Sequence, residues 1–84
     1  MNWELVWTRP AIRDMKKIGH QEAGRIREKV KRVAETGYGD VRKLTDVHPP
    51  VWRQRVGDWR VFISPDLTRK RLQVMRVRRR DQAY

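Results

Sequence analysis

VWRQRVGDWRVFIS, residues 51–64, is the stretch that decides the fold. Its first six residues alternate in character, Gly57-Asp58 supplies a tight turn, and WRVFIS starts a second strand, so the segment reads as a β-hairpin. Pro49 and Pro50 break the chain just before it. Downstream, Pro65-Asp66 begins another turn and RLQVMRV (71–77) alternates again, with Leu72, Val74 and then Arg76 opposite Arg71, Gln73, Met75 and Val77. Three successive antiparallel strands make a meander. Upstream, NWELVW (2–7) alternates as a first short strand. Thr8 can cap a helix, Pro10 fits its first turn, and Ala11, Met15 and Ile18 recur at helical spacing until Gly19. Over 21–35, Ala23, Ile26, Val30 and Val33 line one stripe of a second helix, which Gly37 and Gly39 end. The order is β-α-α-β-β-β. The expected class is α+β, a helical hairpin packed on one face of a small, mainly antiparallel twisted sheet, in a single domain over 1–84.

Size and charge narrow the function. An 84-residue chain has one modest core and no room for a large internal pocket, so any chemistry belongs on an open face or shallow groove. There are 21 Lys and Arg against 10 Asp and Glu, a net charge of +11. Residues 51–84 hold 10 of the basic side chains and 3 of the acidic ones, and Lys70 is the one lysine among those ten cations. Charge concentrated in this way costs stability through self-repulsion and points to a polyanionic partner; guanidinium suits bidentate phosphate contacts and stacking on bases. Cysteine is absent, which excludes disulfides and thiolate metal sites. No apolar run approaches a membrane span, and MNWELVWTR lacks the apolar core of a signal peptide. The expectation is a cytoplasmic protein without a membrane partner.

Strand alternation puts Arg53 and Arg55 on one face, with Arg60 close by in the paired strand, while Val51 and Trp52 or Val56 help cover the other. A helix-covered sheet keeps three guanidinium groups only on its open side, which makes a basic platform for phosphates. Trp52 or Trp59 could stack a base there, with core packing as the competing use of both. Arg78, Arg79 and Arg80 follow the last strand, and Tyr84 follows them. Cleavage of RNA suits such a set because the 2′-OH is a built-in nucleophile, and cations stabilise the charge that develops on phosphorus and the leaving oxygen. Arginine is a poor general base, which leaves Tyr84 and His48 as the acid–base candidates, His48 with a solvated loop position as its plainer explanation. His20 has no evident partner. The acidic residues are scattered and the two histidines distant, so neither a metal nor any other cofactor is expected.

VWRQRVGDWRVF (51–62) resembles a pattern of the RelE/ParE toxin superfamily: an aromatic, two basic residues one apart, then Val-Gly-Asp-aromatic-Arg-Val. VRKL (41–44) is similar to the lead-in to that hairpin. VRRRDQAY (77–84) resembles the superfamily ending Val-Gly-His-Arg-x-x-x-Tyr, with Arg78-Arg79 in place of Gly-His. The resemblance implies a type II toxin that inhibits translation by cleaving mRNA on the ribosome as an endoribonuclease, an mRNA interferase. It also implies a cognate antitoxin, with a monomeric toxin alone and a higher-order complex with that antitoxin. By position it makes Arg53 and Arg55 holders of the RNA, with Arg55 also in the catalytic set. Arg60 becomes the phosphate-binding arginine, Arg80 the cation at the leaving group and Tyr84 the residue that stacks on or activates the nucleotide. Arg78 and Arg79 join the RNA-binding set. The same superfamily contains ParE toxins, which poison DNA gyrase through protein contact, and a non-catalytic RNA-binding domain is a third expectation.

Overall fold

The computed structural model describes residues 1–82. Strand β1 (Glu4–Trp7) leads into α1 (Arg9–Lys16) and α2 (His20–Thr36), followed by β2 (Val41–Lys43), β3 (Trp52–Val56), β4 (Trp59–Asp66), β5 (Arg71–Arg79) and a 3-10 turn, Arg80–Gln82. The sheet order is β1-β5-β4-β3-β2, antiparallel throughout except that β1 runs parallel to β5. The architecture is the expected α+β one, with both helices on one face of the sheet.

The elements start and stop where side-chain chemistry directs. Thr8 caps α1 by accepting from the Ala11 N–H, and Pro10 sits in the first turn, where no intrahelical donor is needed. Helix α2 ends at Gly37, whose left-handed backbone (φ 78°) lets its N–H return to the Val33 carbonyl. Two residues on, the chain crosses α2 so closely that a Cβ on Gly39 would lie 2.5 Å from Val33 Cγ2. Only glycine allows that crossing, and it delivers the chain to β2.

The core lies between the helices and the sheet. Ile26, Val30 and Val33 of α2 pack with Val61 and Ile63 of β4 and Leu72, Val74 and Val77 of β5. Each buried aliphatic side chain is worth roughly 1.5–3 kcal/mol. Truncating the wholly buried Ile26 to alanine would cost about 2–5 kcal/mol, a large part of the 5–15 kcal/mol typical of a domain.

Four local expectations change, the first being that β5 does not stop at Val77 but runs on through Arg78 to Arg79, so that of the three terminal arginines Arg80 alone follows it. VRK (41–43) is a strand and not merely a lead-in; three residues are too few to show an alternation. Val51 precedes β3, and it is Trp52 with the buried Gln54 and Val56 that turns toward the helices. On β5, Val77 joins Leu72 and Val74 in the core, whereas Arg76 does not. The cause is a bulge: Phe62 pairs with Arg76 but Ile63 pairs with Val74, so Met75 is an extra residue and the alternation inverts beyond it. Thr8 pins the bulge, its hydroxyl within hydrogen-bonding distance of the Val74 and Met75 carbonyls (2.8 and 3.2 Å).

Candidate nucleic-acid interface

Because Trp52, Gln54 and Val56 face the helices, the intervening Arg53 and Arg55 face outward. Register extends the set: Arg42 of β2 pairs with Arg53, Arg60 of β4 with Arg55, and Arg78 of β5 with Arg60. Arg42, Arg53, Arg55 and Arg60 line an open groove of about 220 Å³, together with the carboxylate residue Asp40. The Asp40 carbonyl accepts the Arg55 N–H at 2.8 Å, which ties the segment before β2 to β3.

Arg60 is the most constrained of these cations. It is 6% exposed, and its Nη1 donates to the Gly57 and Trp59 carbonyls at 3.0 and 2.9 Å. The tight turn thus holds the guanidinium in place, as preorganised charge stabilisation requires. Phe62, two residues along the same strand, pairs with Arg53 and Arg76 and so shares the open face. It is the aromatic that alternation from Arg60 points to.

The other sequence candidates are placed differently. Trp52 and Trp59 pack against the core and do not line the arginine groove; Trp59 Nε1 donates to Glu22 Oε2 at 2.9 Å. Arg79 does not join the open face: alternation turns it to the helix side, where its guanidinium lies 5.5 Å from the centre of the Trp59 ring. Arg80 begins the 3-10 turn, is exposed, and donates its N–H to the Asp58 carbonyl at 2.7 Å, so its backbone is fixed at the β3–β4 turn, whose Gly57 carbonyl also receives Arg60 Nη1. His48 is exposed in the β2–β3 loop and does not line the groove. Tyr84 lies outside the described residues. Asp40 and Arg42, by contrast, escape sequence reading, because neither a three-residue strand nor the loop before it carries a periodic signal.

Arg76 is committed elsewhere. Its Nε and Nη2 donate to Oδ2 and Oδ1 of Asp14 at 2.9 and 3.1 Å, and the Val77 N–H donates to the same Oδ2 at 2.9 Å. Burial works against the Asp14 charge, but the Arg76 and Val77 hydrogen bonds and the charges of Arg76 and Arg78 outweigh it and hold the carboxyl below its usual range. Asp14 thereby locks α1 onto β5 just where β1 has ended. Among the described residues no three His, Asp or Glu side chains gather to hold a metal ion, and no helix is long and apolar enough to cross a membrane.

Comparison with known proteins is consistent with this geometry. The chain is similar over 99% of its length to a chain of the archaeal RelE-RelB complex from Pyrococcus horikoshii, all of which is covered, at 19% identity and a TM-score of 0.81. A chain of the toxin-antitoxin complex RelBE2 from Mycobacterium tuberculosis is also similar, over 95% of this chain and all of that one, at 17% identity and a TM-score of 0.83. The isolated E. coli RelE toxin aligns over 92% of this chain and 83% of its own, at 14% identity and a TM-score of 0.75. No curated protein matches the sequence. The sequence model of the family described as ParE toxin of type II toxin-antitoxin system, parDE, matches residues 5–84. The chain therefore belongs to the ParE toxin family, within the RelE/ParE superfamily of type II toxin–antitoxin toxins.

Proposed function

We propose that this toxin is a ribosome-dependent mRNA endoribonuclease that inhibits translation in the cytoplasm, acting as a single domain. The observation that carries the reading is the groove on the open sheet face, where four arginines converge with one carboxylate residue, Asp40. The arginines grip and neutralise the scissile phosphate, Arg60 foremost. Asp40 supplies what arginine cannot: a base for the 2′-OH proton. The 2′-oxygen then attacks phosphorus, the P–O5′ bond breaks, and the products are a 2′,3′-cyclic phosphate and a 5′-OH end, with water protonating the departing oxygen while Arg80 stabilises its charge. Arg53, Arg55 and Arg78 hold the flanking phosphates, Phe62 offers a ring to a base, and Tyr84 keeps its stacking role. His48, which is not among the residues lining the groove, is the weaker acid–base candidate.

The matched Pyrococcus and Mycobacterium structures are toxin–antitoxin complexes, which supports an antitoxin partner here. An acidic or amphipathic antitoxin segment that covers Arg53, Arg55, Arg60 and Arg80 would neutralise the toxin. The toxin alone is then a monomer and its complex a higher-order one. A second reading, inhibition of DNA gyrase, is favoured by the ParE description of the matching family. A non-catalytic RNA-binding role would use the same arginines. Induction of the chain alone, with and without the neighbouring small gene product, tests all three when primer extension on mRNA is run beside a gyrase cleavage assay. Relieved toxicity with discrete mRNA cuts is expected; trapped gyrase–DNA complexes without cuts would replace the nuclease by the second reading.

A further inference from the structure

A second basic groove lies on the other side of the β3 edge. Strand β2 begins only at Val41, opposite Gln54, so beyond that point β3 has no strand neighbour on this side and the Arg55 N–H is taken by the Asp40 carbonyl alone. The gap opens into a groove of about 350 Å³ between α2 and β3, which shares Asp40 and Arg55 with the arginine groove of the open face. Arg25, Lys29 and Arg32 of α2 line it at helical spacing, over about 10 Å of one helix face. Among the described residues none of the three has an acidic partner within ion-pairing distance, although α2 carries Glu22, Glu28 and Glu35.

Two further observations point to a ligand. Gln54 lines this groove at 2% exposure; its Nε2 donates to the Lys29 carbonyl, but its Oε1 has no partner among the described residues. A buried acceptor left unpaired is costly, so the wall of the groove at Gln54 carries a polar strain that the fold does not relieve. Tyr38, also in the lining, is 76% exposed, a large ring held open to solvent at the rim. Apart from Val56 the described lining contains no aliphatic residue, so the groove lacks the apolar anchors by which an amphipathic peptide helix docks.

We propose that this α2–β3 groove binds single-stranded RNA continuous with the strand in the arginine groove, with phosphates on Arg25, Lys29 and Arg32 and a base on the Tyr38 ring. The proposal rests on RNA as the substrate and extends its path from the open face around the Asp40–Arg55 junction to α2. The strand is thereby gripped on both sides of the cleavage position, by cations that take no part in the bond change.

The test uses the full chain and a labelled, fully 2′-O-methylated RNA of about 16 nucleotides, a length that fills one single-strand site without being cleavable by 2′-OH attack. Affinity is measured by anisotropy as a function of salt. Arg25→Gln/Lys29→Gln/Arg32→Gln should flatten the log–log salt slope by about 2, since each lost single-strand phosphate contact removes about 0.7. Arg9→Gln/Arg13→Gln/Lys31→Gln, with the same change in net charge, should leave it nearly intact. Tyr38→Ala should weaken binding on the order of 5- to 150-fold at an unchanged slope. Equal slopes for the two triple variants, both folded by circular dichroism, would overturn the proposal. So would loss of binding confined to a glutamate-rich peptide probe, which would make the groove a protein-docking surface. A parent chain that binds the RNA with the expected slopes yet cuts no mRNA unseats the nuclease reading and leaves the groove; one that cuts mRNA with equal slopes does the reverse. A parent with no affinity for this RNA overturns the groove proposal, and mRNA cutting on the ribosome then decides the nuclease reading by itself.

Discussion

Arg55 and Arg60 are backbone partners across the β3–β4 hairpin, and both line the groove on the open face. Like charges directly opposite on paired strands repel, at a cost of roughly 0.2–1 kcal/mol. Arg55 is exposed and makes no ion pair among the described residues, so no direct charge partner offsets that cost, and Asp40 is the one carboxylate residue in the groove lining. An unfavourable pair kept at the centre of a groove is the signature of a site that waits for an anion. Arg55→Thr, which keeps a good strand former, should therefore raise Tm by roughly 1–8 °C while it weakens RNA binding and cleavage. A thermal melt beside a cleavage assay checks both; a variant that is both less stable and fully active contradicts the account.

Arg60 and Arg80 should separate when studied in single-turnover cleavage on programmed ribosomes. Arg60 grips the phosphate in the ground state and more tightly as charge builds on it in the transition state, so Arg60→Ala should weaken binding and also slow cleavage by about 10²–10³-fold. Arg80→Ala should slow the step within the bound complex with little loss of affinity, because charge on the leaving oxygen exists only as the bond breaks. Lys31→Ala, an exposed helix cation near Glu35, serves as the reference. Arg80→Ala indistinguishable from that reference would remove Arg80 from the chemistry.

Asp40→Asn keeps the carbonyl that receives the Arg55 N–H, so the fold should be retained. If the carboxylate takes the 2′-OH proton, the rate within the complex should fall by about 10²–10⁴-fold. Affinity for RNA should hold or improve, since one negative charge leaves a groove of cations. An unchanged rate would return the base to Tyr84 or His48.

Asp14→Asn tests the lock between α1 and β5. Asn cannot accept the paired Arg76 contact as a carboxylate does, and loss of charged hydrogen bonds of this kind typically costs about 1.5–3 kcal/mol. The sign with pH follows from the lowered folded pKa of Asp14: its contribution is complete above the unfolded carboxyl pKa of about 3.9 and is lost as pH falls through the folded value. The stability gap between parent and variant should be widest at neutral pH and close below about pH 4. A gap independent of pH in chemical denaturation would mean that Asp14 acts through packing and not through charge.

The outward face of the hairpin was legible in the sequence because a strand's period of two is local: Arg53 and Arg55 cannot share a side with Gln54. Phe62 was equally legible from Arg60, although its apolar character suggests the core. What could not be read depends on distant partners. The inversion of β5 beyond Met75 rests on Thr8, 67 residues away in the chain. Arg42 reaches the groove through a strand of three residues, and Asp40 through a crossing that the absence of a Cβ at Gly39 permits. Arg79 leaves the open face for the same reason that Arg78 stays on it, simple alternation, but three consecutive arginines look alike until a register is assigned.

The parallel pairing of β1 with β5 governs the order in which the molecule can be made. Glu4 meets Arg71 only when nearly the whole chain has been synthesised, so the first strand emerges with no neighbour and the apolar stripe of α2 with no sheet to cover it. The β3–β4 hairpin closes locally through a two-residue turn and needs neither. Nascent chains therefore carry the arginine pair of the hairpin before they carry a framework to hold it, and Arg80 arrives after all the strands. A toxin with this topology has no complete sheet until its own β5 has been made. The cleavage proposed above would begin only once synthesis has passed beyond the last strand, which leaves an interval in which a binding partner can meet an incomplete site.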